Sequence, residues 1–101
     1  MATADITILG LRTDPDSHAS EYIAEIQRRL AAQDRVKYKL HGMGTSLEGS
    51  ADDIFALAAE LHKVPFDLGV PRVYTVIKLD DPSDNPAQTL DDKVRSVEDR
   101  L

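Results

Sequence analysis

The spacing of apolar residues changes repeatedly along the chain, and each change predicts an element. From Asp5 to Leu11, Ile6 and Ile8 alternate with Asp5 and Thr7, the period-two pattern of a half-buried strand. Asp14-Pro15-Asp16-Ser17 interrupts it, with Ser17 placed as an N-cap. From Ala19 to Gln33 the period lengthens. Tyr22, Ile23, Ile26 and Leu30 form one stripe, while Glu21, Glu25, Arg28 and Arg29 lie off it, which predicts an amphipathic helix. Val36 to Leu40 alternates again, and Gly42-Met43-Gly44 turns the chain into the short extended run Thr45 to Gly49, giving a hairpin. Ser50 caps a second helix, with Asp53 in the position of a capping-box acid. Ile54, Leu57, Ala58 and Leu61 supply its buried stripe; Pro65 should end or kink it, and Gly69 should stop it. Arg72 to Leu79 is the most apolar strand, and Asp80 to Pro86 is a loop. Thr89 caps a last helix in which Leu90, Val94, Val97 and Leu101 share a face.

The resulting order, β-α-β-β-α-β with an added C-terminal helix, is the split βαβ arrangement. It predicts a single α+β domain over residues 1–101: a ferredoxin-like antiparallel sheet of four strands with two helices on one face. Two helices cover one side of such a sheet. The other side must be polar, or lie under the C-terminal helix or a partner chain, so the pattern points to self-association.

Composition narrows the chemistry. The chain has 101 residues, 42% hydrophobic and 30% charged, near the globular norm. It contains no cysteine, which excludes disulfides, thiolate metal sites and a cysteine nucleophile. No apolar run reaches the ~20 residues of a membrane helix. The N-terminus lacks the basic and long apolar regions of a signal peptide, so a cytoplasmic protein away from membranes is expected. A net charge of −6 without a Lys/Arg cluster opposes a phosphate backbone and makes nucleic acid an unsuitable partner.

His41 to Gly49 is the most unusual stretch. Glycines at 42, 44 and 49 permit close approach of a ligand, and Thr45, Ser46 and Glu48 place hydroxyls and an anion between them. The glycine spacing fits neither a phosphate loop nor a dinucleotide fingerprint, and by spacing alone a tight hairpin with a solvated Glu48 accounts for it slightly better than a ligand site. No nucleophile-elbow pattern occurs, and His18, His41 and His62 lack zinc-ligand spacing. Asp80, Asp81 and Asp84 lack calcium-loop spacing and read as a solvated loop. His62, beside the second helix's buried stripe, is either an interfacial histidine or a ligand contact. Arg72 is either an anion clamp or a rim charge.

Together these residues resemble the small thiamine-binding protein family, related to domains that bind thiamine and hydroxymethylpyrimidine. The resemblance is carried by Met43-Gly44-Thr45-Ser46-Leu47-Glu48-Gly49, by Gly69-Val70-Pro71-Arg72-Val73 running into Thr75-Val76-Ile77-Lys78-Leu79-Asp80-Asp81, and by Thr89-Leu90-Asp91-Asp92-Lys93-Val94-Arg95-Ser96-Val97. It covers nearly the whole chain. The Pro82 to Pro86 loop and Leu11-Arg12 depart from the family pattern.

The resemblance implies a ferredoxin-like fold, homodimers or homotetramers, and a pyrimidine-type ligand near subunit contacts. The protein would bind thiamine or hydroxymethylpyrimidine as ligand, without a separate cofactor, a metal or catalysis. Glu48 would hydrogen-bond an aminopyrimidine, Thr45 and Ser46 would add hydroxyl contacts, and Met43 or Tyr74 would cover a ring face. His62 and Arg72 complete the expected site. Two other classes compete: a homo-oligomeric structural or regulatory interaction protein with no working pocket, and an enzyme acting on a pyrimidine precursor.

Overall fold

The computed structural model describes residues 1–12 and 19–101. Ser17, the expected cap of the first helix, and His18 lie outside the described residues. The elements run β1 (Ala2–Leu11), α1 (Ala19–Ala31), β2 (Lys37–His41), β3 (Gly44–Gly49), α2 (Ala51–Asp67), β4 (Arg72–Asp80) and α3 (Leu90–Glu98). The sheet order is β2-β3-β1-β4, with every neighbouring pair antiparallel. This is the α+β arrangement that the alternation of periods predicts.

Strand pleating divides the sheet into two faces. Ala2, Ala4, Ile6 and Ile8 of β1, with Leu47 of β3, turn toward the helices. There they join Tyr22, Ile26 and Leu30 of α1 and Ile54, Leu57, Leu61 and Val64 of α2 in one core. The opposite face carries Thr3, Asp5, Thr7 and Leu9, cross-paired with Asp80, Lys78, Val76 and Tyr74 of β4, while on the other side Thr3 meets Glu48 and Asp5 meets Ser46 of β3.

Several boundaries differ from the periodicity reading. β1 begins at Ala2 rather than Asp5, because Ala2, Thr3 and Ala4 are all buried and show no alternation. α1 stops at Ala31 rather than Gln33. The Gln33 side chain donates to Leu30 O and Val36 O and accepts from the N–H groups of Arg35 and Val36, so it replaces the next helical turn. α2 runs through Pro65 to Asp67, with the proline buried in its last turn. Leu68, Gly69 and Val70 then donate to Pro65 and Phe66 carbonyls, and Gly69, at φ +86, makes the left-handed stop. α3 ends at Glu98, which leaves Leu101 outside the helical face it was expected to share.

Both N-caps stand where the sequence places them, although at α2 only the Ser50 half of the expected capping box forms. Asp53 N–H donates to Ser50 Oγ at 3.1 Å. Thr89 and Asp92 form a complete capping box at the start of α3.

Candidate functional site

The candidate site exists because β1 is longer than the hairpin beside it. β3 pairs with β1 only as far as Ile6↔Thr45, whereas β4 accompanies β1 to Leu11↔Arg72. Beyond Ile6, no strand among the described residues lies against the hairpin-side edge of β1. Main-chain N–H and C=O groups on such an edge need other partners. Tyr22 of α1 supplies one: its hydroxyl oxygen accepts the Gly10 N–H at 2.9 Å.

The space between this bare edge, α1 and the hairpin tip is a cavity of about 240 Å³. Tyr22, Ile23 and Gln27 of α1, Ile8 of β1, and Met43 and Thr45 of the hairpin contribute to its walls. The lining is predominantly apolar, and among the described residues it includes no lysine or arginine. Inside it, Gln27 Nε2 donates to the buried Thr45 Oγ1 at 3.2 Å. That bond holds the carboxamide in a defined plane against a buried hydroxyl.

The hairpin tip is fixed on its other side. Thr7 Oγ1 donates to Met43 O at 2.9 Å, and Met43 N–H donates to His41 Nδ1 at 3.3 Å. His41 Nε2 lies 2.7 Å from Asp5 Oδ1. Gly44 is required by space: a Cβ there would meet Ile6 O at 2.6 Å and Thr7 Oγ1 at 2.8 Å. Gly44 therefore lets the tip close down on β1.

The seven residues singled out in the sequence separate into three regions. Thr45 and Met43 are at the cavity, Thr45 in its wall and Met43 exposed at its rim. Ser46 and Glu48 alternate onto the opposite sheet face. Ser46 borders a shallow depression there with Asp5 and Lys78, and Glu48 is buried with its Oε1 accepting the Leu90 N–H at 2.7 Å. His62 faces β4, its Nδ1 2.6 Å from Thr75 Oγ1, and stacks edge-on against Phe66. Arg72 and Tyr74 share the outer face with Ser46 and Glu48, at the far end of β4 beside Leu11 and Leu9. Their shared motif neighbourhood in sequence does not bring these residues to one site.

Sequence reasoning passed over Gln27 and Tyr22. Tyr22 lay within the apolar stripe of α1. Gln27 was visible only as an uncharged polar residue one position after Ile26, with nothing to show that the sheet ended opposite it.

Two carboxylates are held below their ordinary range. Asp92 accepts the Thr89 backbone N–H at 3.0 Å, which lowers its pKa, and hydrogen bonding from the Thr89 side chain acts in the same direction. Glu25 is lowered by hydrogen bonds from Arg28 and Arg29. Both are helix-support groups outside the cavity.

Among known proteins, the UPF0045 protein encoded in the glkA 3′ region of Staphylococcus xylosus is 40% identical over 101 residues, covering 97% of this chain and 92% of its own. The UPF0045 protein YqgV of Bacillus subtilis is 39% identical over 104 residues, 100% of this chain and 98% of its own. A sequence model of the family described as thiamine-binding protein matches residues 4–98. The chain belongs to the thiamine-binding protein family. The family match takes in the cavity walls, both sheet faces and the whole of α3. A solved hypothetical protein of Methanocaldococcus jannascii superposes with a TM-score of 0.81 at 28% identity, over 96% of this chain and 95% of its own. A Thermotoga maritima protein named as a candidate thiamine biosynthesis/salvage protein gives 0.76 at 19% identity, over 95% and 97% of the two chains, a likeness of fold. No helix among the described residues is long and apolar enough to cross a membrane.

Proposed function

We propose that this protein binds thiamine or its hydroxymethylpyrimidine moiety, without catalysing a reaction, in the cavity beside the bare edge of β1. The observation that carries the reading is the Gln27–Thr45 pair in a predominantly apolar recess. A carboxamide offers a donor and an acceptor side by side, which matches the ring nitrogen and exocyclic amine of an aminopyrimidine. Tyr22 and Ile23 give the ring an apolar and aromatic surface to lie against.

Size and charge refine the ligand. At about 240 Å³ the recess is smaller than the roughly 300–1,000 Å³ of drug-sized sites, so it suits one ring and leaves the remainder of thiamine at the rim near Met43. A lining that among the described residues holds no lysine or arginine disfavours a diphosphate and favours the unphosphorylated form. The net charge of −6 favours the cationic thiazolium. Self-association into homo-oligomers belongs to the same reading. Leu9, Leu11, Tyr74 and Val76 form an exposed apolar patch on the outer sheet face, which neither α1 nor α2 covers.

That patch also supports the alternative of a homo-oligomeric interaction protein with no working ligand. Isothermal titration with thiamine, hydroxymethylpyrimidine and thiamine diphosphate separates the two. Micromolar binding of the first two, about −8 kcal/mol, weakened roughly tenfold by Gln27→Ala, supports the binding protein. Absence of heat with all three, in a protein that is oligomeric, favours the interaction protein.

A further inference from the structure

In an antiparallel sheet the N–H and C=O of one residue point to the same side of the strand, and successive residues alternate sides. Two observations fix the phase of β1. Gly10 is aligned with Val73 of β4, yet its N–H donates to the Tyr22 hydroxyl on the other side. Only Gly42 and Met43 separate His41 from Gly44, and residues flanking a two-residue loop exchange both main-chain bonds with each other. Gly44 therefore turns its main chain to β2, and Thr45 turns its own to Ile6 of β1. Both observations give one result. Ile6, Ile8 and Gly10 direct their main-chain groups to the hairpin side, and Thr7, Leu9 and Leu11 direct theirs to β4.

On the hairpin side Ile6 meets Thr45, and Gly10 N–H meets Tyr22. Ile8 stands between them, where the pairing with β3 has already ended. Met43, next in line on the hairpin, is engaged elsewhere: its carbonyl accepts from Thr7 Oγ1 and its N–H donates to His41 Nδ1. Among the described residues nothing on that side bonds Ile8 N–H or C=O. Ile8 is buried and lines the cavity. A buried peptide donor and acceptor are costly to leave unmet, so this edge calls for a partner inside the recess.

Chemistry specifies the partner. The N–H and C=O of Ile8 form a coplanar donor–acceptor pair, which a neighbouring strand would meet with a pair of its own. A planar N=C–NH2 unit presents an acceptor and a donor side by side in the same way. A 4-aminopyrimidine carries one such edge. Its ring can take the place of the strand residue that β3 does not supply, with α1 over its core-side face.

We infer that the main-chain N–H and C=O of Ile8 are the specificity-determining contacts of the cavity: the N–H donates to a ring nitrogen and the C=O accepts from the adjacent exocyclic amine. The inference rests on the functional reading above and adds a main-chain contact to the Gln27–Thr45 pair. The amine has two hydrogens, one for Ile8 C=O and one for the carboxamide oxygen of Gln27. The two contacts differ in one respect. A side-chain carboxamide can turn over and serve either order of donor and acceptor, whereas a peptide group inside a strand cannot. Ile8 therefore selects aminopyrimidines over oxopyrimidines, whose ring N–H and carbonyl reverse the order.

The test combines NMR and calorimetry on the intact chain. Saturation with hydroxymethylpyrimidine should move the Ile8 amide proton downfield and slow its exchange roughly tenfold or more. The Leu9 amide, directed to β4, should change little and serves as the control. The 4-oxo analogue of hydroxymethylpyrimidine should bind about tenfold to a hundredfold more weakly, and the ratio should persist in Gln27→Ala. Hydroxymethylpyrimidine binding that leaves the Ile8 amide unchanged, or that the oxo analogue equals in affinity, overturns the main-chain contact and leaves the binding reading in place. A ratio that collapses in Gln27→Ala assigns the selection to the side chain and overturns the role of Ile8. Absence of binding by hydroxymethylpyrimidine and thiamine alike overturns the binding reading and this inference with it.

Discussion

Glu48 Oε1 accepts the backbone N–H of Leu90 at 2.7 Å, tying the first turn of α3 to the outer face of the sheet. The first N–H groups of a helix have no intrahelical partner, and the helix dipole favours an anion beside them. Lys93 pairs with Asp80 one turn further on, so α3 is anchored to β3 and β4 at once. Burial of Glu48 is thus compatible with its charge: its carboxylate meets a helix N-terminus.

From this, Glu48→Gln should loosen α3. The substitution keeps an acceptor but removes the charge, and a loss of about 1 kcal/mol is expected. For a chain of this length that is a fall in Tm of roughly 4–8 °C. Amide exchange should rise first in residues 90–98. Thiamine affinity should change less than about threefold, because the cavity lies on the other side of the sheet; a larger loss would bring Glu48 back into the ligand site.

Gly44→Ala should be among the most damaging single substitutions. The new Cβ would stand 2.6 Å from Ile6 O, a backbone atom that cannot move without disturbing the sheet. We expect about 2–3 kcal/mol of destabilisation in urea titration, in the range of overpacked sites. Gly42→Ala, where a Cβ meets nothing within 4 Å, should cost far less and serves as the control.

Tyr22→Phe removes the hydroxyl that satisfies the Gly10 N–H on the bare β1 edge. A part-buried donor left without a partner costs about 1–3 kcal/mol. The same change alters one wall of the cavity, so both the urea midpoint and ligand affinity should fall. A stability loss with unchanged affinity would show that the ring, rather than the hydroxyl, shapes the recess.

Acid should fray α3 through Asp92. Its pKa is lowered in the folded chain by the Thr89 backbone hydrogen bond, so the folded state binds this proton less readily than the unfolded one. The contribution is complete above the ordinary aspartate range and is lost as pH falls through the lowered folded value. Helicity of residues 90–98, followed by NMR, should decline across that window. Asp92→Asn should be less stable than the parent at neutral pH and should show a flatter acid limb.

Much of this molecule was legible locally. Alternation set the last strand, three- and four-residue spacing set the helices, and Ser50, Thr89 and Gly69 marked their ends, because caps and periodicity are interactions among near neighbours. The family resemblance was legible too, since its motifs run in order along nearly the whole chain. What the tertiary structure decided is where those elements stop relative to one another. Thr45 and Glu48 are three residues apart, yet Thr45 meets Gln27 in the cavity while Glu48 meets Leu90 on the opposite face. Strand parity separates the two faces. Partners distant in the chain, 18 positions away for one and 42 for the other, then decide what each face does. The cavity itself comes from a mismatch in strand length between β1 and β3, a property of pairing that neither strand's own sequence contains.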